Sequence, residues 1–150
     1  MMVQSLDLEA LTRIGIEKSV RVGADQSEAY GEKSRRVSIR VMGREIRRVK
    51  VTYDGGIGIR VYVNGGMGFS YTTKLTKSSV EEAAEKAVRL AKLAEKDPYF
   101  KSLPKPEKPK PVRGLYDETL ASITVEESVG IVKGMVKSSL EVSKLSLIHI

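Results

Sequence analysis

Residues 28–71 read EAYGEKSRRVSIRVMG (28–43), REIRRVKVTY (44–53), DGGIGIRVYV (54–63) and NGGMGFSY (64–71). Apolar and polar side chains alternate along most of this stretch, and a period of two residues is typical of a strand with one buried face. The alternation is clearest in two groups that each share a face: Val37, Ile39 and Val41, and then Ile57, Ile59, Val61 and Val63. We therefore predict that this stretch folds into a sheet with one apolar face.

Three glycine-containing pairs predict the turns of this sheet. Asn64-Gly65 is a strong hairpin signal, because a type I′ turn requires positive φ at both central positions. Met42-Gly43 and Asp54-Gly55 predict the other two reversals. The predicted fold class is α/β (α+β), with a four-stranded antiparallel meander. The apolar face of such a sheet must be covered, so we expect helices packed on that one face.

The segments on either side of the sheet carry helical patterns. A first helix is predicted over about 7–22, with Gly23 as the C′ residue that ends it. A second helix is predicted to begin with a capping box made by Ser78 and Glu81, followed by an alanine-rich stripe. Asp97-Pro98 ends this helix, since proline disfavours helical conformation at the residue before it.

All five prolines lie between Pro98 and Pro111. Lys-Pro repeats in this segment favour extended polyproline geometry and a solvated spacer. The predicted organisation is an N-terminal domain over 1–97, a proline-rich linker over 98–113 and the start of a second, middle domain over 114–150.

A third helix is predicted in the second domain, because Thr124 and Glu127 have the spacing of a capping box. Its apolar stripe comprises Val125, Val129, Val132, Val136 and Leu140. Little chain follows to cover the stripe, so we expect that this domain is cut off. Residues 145–150 read LSLIHI and are either a non-native, translated adapter tail or an ordinary short strand.

Composition excludes several kinds of site. The chain has no cysteine, hence no disulfide framework, no thiolate metal site and no cysteine nucleophile, which suits the cytoplasm. No apolar run approaches the roughly 18 residues that suggest a membrane span. Residues 1–7 lack the pattern of a signal peptide. The formal net charge of +7 indicates anionic partners but says nothing about the fold.

Catalytic and metal-binding residues are expected to be absent from this chain. His149 is the only histidine, whereas a catalytic zinc commonly takes three protein ligands and a serine triad needs a histidine base. Glu28, Glu32 and Asp54 are available, but their predicted positions on strands and in a turn give no reason to converge. We therefore predict no catalytic, cofactor-binding or metal residue.

Two further patterns allow more than one interpretation. Gly55-Gly56-Ile57-Gly58 and Gly65-Gly66-Met67-Gly68 superficially suggest phosphate loops, but neither precedes a helix, so a structural role in hairpins is favoured. Several basic residues can share the polar sheet face. They form either a phosphate-binding surface or a surface that faces solvent or another subunit, and the second interpretation is favoured. They are Arg36, Arg40, Arg48, Lys50 and Arg60.

Several strings of this sequence resemble one family when taken together. They are Gly23–Tyr30, Glu32–Arg35, Asp54–Val61, Gly66–Thr73, the alanine-rich helix, Asp97–Phe100 and, more weakly, Tyr116–Leu120. The combination resembles the N-terminal domain of the TldD/PmbA family, metallopeptidases long called modulators of DNA gyrase. The proline-rich exit is more similar to the PmbA (TldE) branch. The family more often has Asn-Gly where this chain has Met42-Gly43.

The resemblance implies a cytoplasmic zinc peptidase system that acts on unfolded or small peptides and is built as a dimer of TldD-type or PmbA-type subunits. In that family the zinc ligands lie in an HExxxH motif beyond the N-terminal domain, and this chain has no such motif. The chain alone is therefore expected to be inactive and to contribute subunit contact or a wall of the substrate chamber. The alternative is a small basic nucleic-acid-binding protein that uses the arginine-rich face.

Overall fold

The structure is a computed structural model that describes residues 7–110 and 112–143. Its helices and strands follow in the order α1 (Leu8–Arg21), β1 (Gln26–Met42), β2 (Glu45–Val63), β3 (Gly66–Thr72), α2 (Lys77–Leu93), α3 (Glu118–Ser122) and α4 (Val125–Val142). Among the described residues, 7–34 and 54–106 form one compact unit, and 35–53 with the residues from 107 onward form another. Strands β1 and β2 contribute to both units.

The sheet has three antiparallel strands in the order β1-β2-β3, so the α+β fold is confirmed and the fourth predicted strand is wrong. Asp54-Gly55 is not a reversal, because β2 continues through it. Gly55 does not adopt positive φ; a Cβ on it would lie 3.1 Å from the carbonyl oxygen of Glu32. At Gly56 a Cβ would lie 3.0 Å from the carbonyl oxygen of Thr72. These glycines therefore allow close approach of neighbouring strands.

The turn between β2 and β3 is the predicted type I′ hairpin. Asn64 and Gly65 have φ of 49° and 84°, and Val63 pairs with Gly66 across the turn. The backbone N–H of Asn64 also donates to the Asp25 carboxylate over 2.6 Å. Positive φ at both central residues gives the turn the twist of the strands it joins.

The core of the first unit lies between the sheet and helices α1 and α2. Its strand residues are Ile57, Ile59, Val61 and Val63, and its α2 residues are Val80, Ala83, Ala84, Ala87, Val88 and Ala91. On β3, a Cβ at Gly68 would overlap the carbonyl oxygen of Ala87 and lie 2.5 Å from the amide nitrogen of Ala91. Helix α2 therefore packs with its backbone almost directly on β3.

Helix α1 ends as predicted, at a glycine in the left-handed region. Gly23 has φ of 106° and donates to the carbonyl of Val20, while Ala24 donates to Ser19. This is the Schellman arrangement, which satisfies carbonyls that the helix itself leaves free. Lys18 forms a 2.7 Å ion pair with Glu85, and this pair links α1 to α2.

Helix α2 begins two residues earlier than the predicted capping box. The N-cap is Thr76, whose hydroxyl oxygen accepts from the backbone N–H of Ser79 over 3.4 Å. The Ser78–Glu81 capping box is therefore wrong, because Ser78 already lies inside the helix. The helix ends at Leu93, with Ala94 as C-cap, before the predicted stop at Asp97.

The second unit contains a short helix that the sequence did not suggest, α3, followed by the predicted α4. The capping box of α4 is confirmed. The backbone N–H of Thr124 donates to Glu127 Oε2, and the backbone N–H of Glu127 donates to the Thr124 hydroxyl oxygen. A guanidinium nitrogen of Arg35 donates to the carbonyl of Ile123 over 3.0 Å. The valine stripe is half-buried, and no described residue of α4 is buried.

The first residues of the proline-rich segment contact the sheet. The N–H of Asp97 donates to the carbonyl of Gly65 over 3.0 Å, and the N–H of Leu103 donates to Gln26 Oε1 over 2.6 Å. Phe100 stacks on Tyr62 with ring centroids 3.5 Å apart. The division at residue 97 stays a prediction, and residues 145–150 lie outside the described residues.

Candidate functional site

The sheet of the first unit has a second face, turned away from the helices, that we call the open face. Because side chains alternate along a strand, the residues between the buried ones lie on this side. Its members are Glu28, Tyr30 and Glu32 on β1, Gly58, Arg60 and Tyr62 on β2, and Met67, Phe69 and Tyr71 on β3. Tyr30, Phe69 and Tyr71 are 72%, 51% and 69% exposed, which is unusual for rings of this size.

Strand β3 exposes these rings because its small residues face the helix. Gly66, Gly68 and Ser70 are buried beneath α2, so Met67, Phe69 and Tyr71 must project to the other side. The sequence therefore carried a signal that the apolar pattern hid. In this strand the inward residues are the small ones and the outward residues are the large ones.

A depression of about 420 Å³ occupies the middle of the open face. Its lining residues are Glu28, Ala29, Tyr30, Gly58, Arg60 and Phe69. Arg60 forms an ion pair with Glu28 across β1 and β2, and both side chains are more than two-fifths exposed. Such a half-exposed pair contributes only about 0–1 kcal/mol to stability. The ion pair keeps the guanidinium of Arg60, the arginine that lines this depression, next to the Glu28 carboxylate.

A second, adjoining pocket of about 350 Å³ lies over the middle of β2, where Asp54 and the glycines after it line it. Three aromatic rings, Tyr30, Phe69 and Tyr71, and two carboxylates, Glu32 and Asp54, line it. Gly55, Gly56 and Gly58 also line it and carry no side chain, so the rings and carboxylates stand above a floor of backbone. We call this concavity the acidic aromatic pocket.

The geometry of this pocket is fixed by close contacts. The Phe69 and Tyr71 ring centroids are 6.5 Å apart with an interplanar angle of 27°. The Tyr30 hydroxyl lies 3.5 Å from Glu32 Oε2. A Cβ on Gly58 would lie 3.1 Å from the Phe69 ring, so glycine lets the ring rest close to the strand.

Strand β3 is the edge of the sheet next to these rings. In a type I′ hairpin the residues flanking the turn are hydrogen-bonded to each other, and such pairs alternate along the ladder. Since Val63 pairs with Gly66, the backbone groups of Met67, Phe69 and Tyr71 are directed away from β2. A bridge between Gly66 and Lys96 covers the start of this edge.

Of the two glycine-rich strings, only the second has the predicted place in a hairpin. Gly55-Gly56-Ile57-Gly58 lies inside β2, and Gly65-Gly66-Met67-Gly68 forms the hairpin turn and the start of β3. Neither leads into a helix, which phosphate loops of both common kinds require.

The basic residues predicted to share one face are distributed between the two units. Arg60 belongs to the first unit and is paired with Glu28. The others belong to the second unit and are exposed: Arg36, Arg40, Arg48 and Lys50.

Of the three carboxylates expected not to converge, Glu32 and Asp54 line one pocket, while Glu28 lines the depression beside it. The expectation failed for Glu32 and Asp54 because Asp54 was placed in a turn and not within β2. Within 7–110 and 112–143 no group of three or more potential metal-ligating side chains occurs. His149 lies outside these residues.

Comparison with known proteins identifies relatives of this chain. Residues 27–91 match the family described as PmbA/TldA metallopeptidase domain 1. A "Metalloprotease PmbA homolog" from Haemophilus influenzae is 30% identical over 94 residues, covering 63% of this chain and 21% of the relative. The chain thus spans about a fifth of the length of that curated protein.

Two solved structures share the fold. TldE from Thermococcus kodakarensis is 25% identical, with a TM-score of 0.75 over 90% of this chain and 30% of its own. A protein from Bacteroides thetaiotaomicron described as a modulator of DNA gyrase is 19% identical, with a TM-score of 0.70 over 84% of this chain and 29% of its own. The second likeness concerns the fold alone. No helix in the described part of the chain is long and apolar enough to cross a membrane.

Proposed function

This chain carries the N-terminal domain of the TldD/PmbA family, and on that premise we propose that it is a non-catalytic portion of a metallopeptidase system acting on unfolded or small peptides. In this proposal the domain contributes subunit contact or a wall of the substrate chamber, in the cytoplasm. The zinc of the complete complex is held elsewhere, and this chain binds none. The partner is a TldD-type or PmbA-type subunit.

The observation that carries the proposal is the open face. It presents Tyr30, Phe69 and Tyr71 in exposed positions beside the edge strand β3. Aromatic residues are enriched at protein interfaces, and an exposed group of them is typical of an interaction surface. The backbone groups at the edge also suit the addition of an extended chain.

The relatives favour one branch of the family for this role. The curated relative is a PmbA homolog, and one of the solved structures is TldE. We therefore propose that this chain is PmbA-like and that its partner is a TldD-type subunit.

Pull-down and sedimentation with a TldD-type subunit test the subunit contact. Replacing Phe69 and Tyr71 by serine removes exposed apolar area without disturbing the buried face, so binding should weaken by about tenfold or more. Tyr99→Ser is the matched control, because Tyr99 is 89% exposed and lies outside the open face. Equal binding by both variants would assign the contact to another surface.

Peptide hydrolysis tests the non-catalytic role. The purified chain with added zinc should cleave no unstructured peptide, with or without a chelator, because a peptidase zinc needs several fixed ligands and an open position. Chelator-sensitive cleavage that survives His149→Ala would contradict the proposal and reveal a metal site built from carboxylates.

The nucleic-acid alternative is not supported by the open face, because Arg60, the arginine on that face, is paired with Glu28. Binding to nucleic acid should be weak, independent of sequence and lost at about 0.15 M salt, since counterion release makes such contacts salt-sensitive. Sequence-selective binding below about 1 μM at that salt would reverse this preference.

A further inference from the structure

We propose that the acidic aromatic pocket binds the cationic side chain of a lysine or arginine presented by an extended peptide segment. The inference concerns binding by this chain alone, so it does not depend on the proposed function. It identifies a ligand chemistry for the residues that line the pocket: Tyr30, Glu32, Asp54, Phe69 and Tyr71.

The lining has the composition that selects a cation. Aromatic faces attract ammonium and guanidinium groups through their quadrupoles, and nearby carboxylates add a direct charge attraction. Three rings and two carboxylates surround the same space, and among the described residues no lysine or arginine lines it. The pocket is therefore acidic although the whole chain carries a net charge of +7.

Neighbouring basic groups do not fill this space. Arg60 lines the adjoining depression, where it is held by Glu28. Lys74 and Lys86 line a neighbouring groove that shares Phe69 and Tyr71 with the pocket, but neither lysine lines the pocket itself. Glu32 and Asp54 thus have no cationic side chain of the first unit within the pocket that they share.

The lining suits a side chain that has an aliphatic stem. A floor of Gly55, Gly56 and Gly58 lets a slender aliphatic stem lie against the backbone, with the rings of Phe69 and Tyr71 beside it. Lysine and arginine combine such a stem with a charged end. The charged end can then reach Glu32 and Asp54.

An extended segment is the natural carrier of that side chain. The sheet already holds a segment from outside it on this side, since Phe100 stacks on Tyr62 and the N–H of Leu103 donates to Gln26 Oε1 at the start of β1. The pocket lies on the same face, beside β3, whose outer backbone groups at Phe69 and Tyr71 suit pairing with an extended peptide.

The test is a titration of the full chain with four pentapeptides, Ac-Gly-Gly-X-Gly-Gly-amide, in which X is lysine, arginine, norleucine or glutamate. Chemical shifts of the tyrosine and phenylalanine ring protons report the binding site. We expect lysine and arginine peptides to bind at least about threefold more tightly than norleucine, and glutamate to bind least. Shifts should concentrate at Tyr30, Phe69 and Tyr71, and binding should weaken with salt.

Variants separate charge from shape. Glu32→Gln with Asp54→Asn should remove the preference for lysine over norleucine, whereas Glu17→Gln, an exposed carboxylate on α1, should leave it unchanged. Circular dichroism verifies that each variant is folded. If the double variant does not fold, the wild-type comparison of lysine with norleucine decides the question alone.

Three results would overturn the inference. They are equal affinity for norleucine and lysine, shifts centred on Tyr62 or Tyr99, and a preference for lysine that persists in the folded double variant.

Discussion

Helices α2 and α4 are nearly equal in length, with 17 and 18 residues, and each has a threonine N-cap and an apolar stripe. Their burial is entirely different. Six residues of α2 are buried, from Val80 to Ala91, whereas no described residue of α4 is buried. A cap and a stripe therefore predict a helix, but they do not predict that its stripe is buried.

The difference comes from the surface that each helix meets. Helix α2 lies on β3 at a place where Gly66 and Gly68 have no side chains, so its alanines approach the strand backbone. In α4, a Cβ added to Gly130 or Gly134 would meet no atom within 4 Å. Glycine thus has opposite meanings in the two regions: it permits packing on β3 and only weakens the helix in α4.

The largest expected effect comes from adding a methyl group at these glycines. Gly68→Ala places Cβ against the backbone of Ala87 and Ala91, so α2 must shift from β3, and we expect a loss of about 3 kcal/mol in unfolding free energy. Gly130→Ala meets no atom and should stabilise α4 by up to about 1 kcal/mol.

Urea denaturation followed by circular dichroism measures both effects. Loss of stability on Gly130→Ala would show that α4 packs against something at that point. A neutral Gly68→Ala would show that α2 is free to shift away from β3.

A smaller effect is expected from truncating one valine in each helix. Val80 is fully buried, so Val80→Ala should cost about 2–3 kcal/mol through lost burial and the cavity left behind. Val132 is half-buried, and alanine is a better helix former, so Val132→Ala should change stability by less than about 1 kcal/mol. Similar losses in thermal unfolding for both variants would remove the contrast between the helices.

Local signals predicted the parts of the fold that depend on local chemistry. The Asn64-Gly65 turn, the end of α1 at Gly23 and the capping box at Thr124 are each decided within a few residues. The reversal at Asp54-Gly55 was wrong because a glycine permits both a turn and close strand contact, and only the partner strand decides between them.

The candidate site was missed for a related reason. Apolar alternation in β3 indicates two faces but not which of them the helix covers, so it did not by itself indicate that Phe69 and Tyr71 are exposed. The narrow gap between β3 and α2 admits only small side chains, so it decides which face of β3 the helix covers. Asp54 joined Glu32 only because β2 continued through the expected turn.

The smallest expected effect is on the pH dependence of stability, and it differs between α2 and α4. The hydrogen bond and charge of Lys18, followed by the charge of Arg89, lower the pKa of Glu85. Bonds from the backbone and then the hydroxyl of Thr124 lower the pKa of Glu127. A glutamate whose pKa is lower in the folded state stabilises the folded protein at pH values above its unfolded pKa, ordinarily 4.5. This contribution is lost as the pH falls through the folded pKa.

Acidification should therefore destabilise both helices, in different ways. Glu85→Gln should lower the thermal midpoint of the first unit at neutral pH and reduce its dependence on pH below about 4.5. Glu127→Gln should lower helical content without moving that midpoint. A shift of the main thermal transition by Glu127→Gln would show that α4 shares the core of the first unit.

Amide hydrogen exchange on the intact, monomeric chain tests most directly the claim that α2 belongs to a core and α4 does not. Amides of a buried helix exchange only through large unfolding events, whereas those of a helix with few buried contacts exchange through local opening. We predict slow exchange from Ala83 to Ala91 in α2 and fast exchange from Val129 to Val136 in α4. Equally slow exchange in both helices would contradict the account.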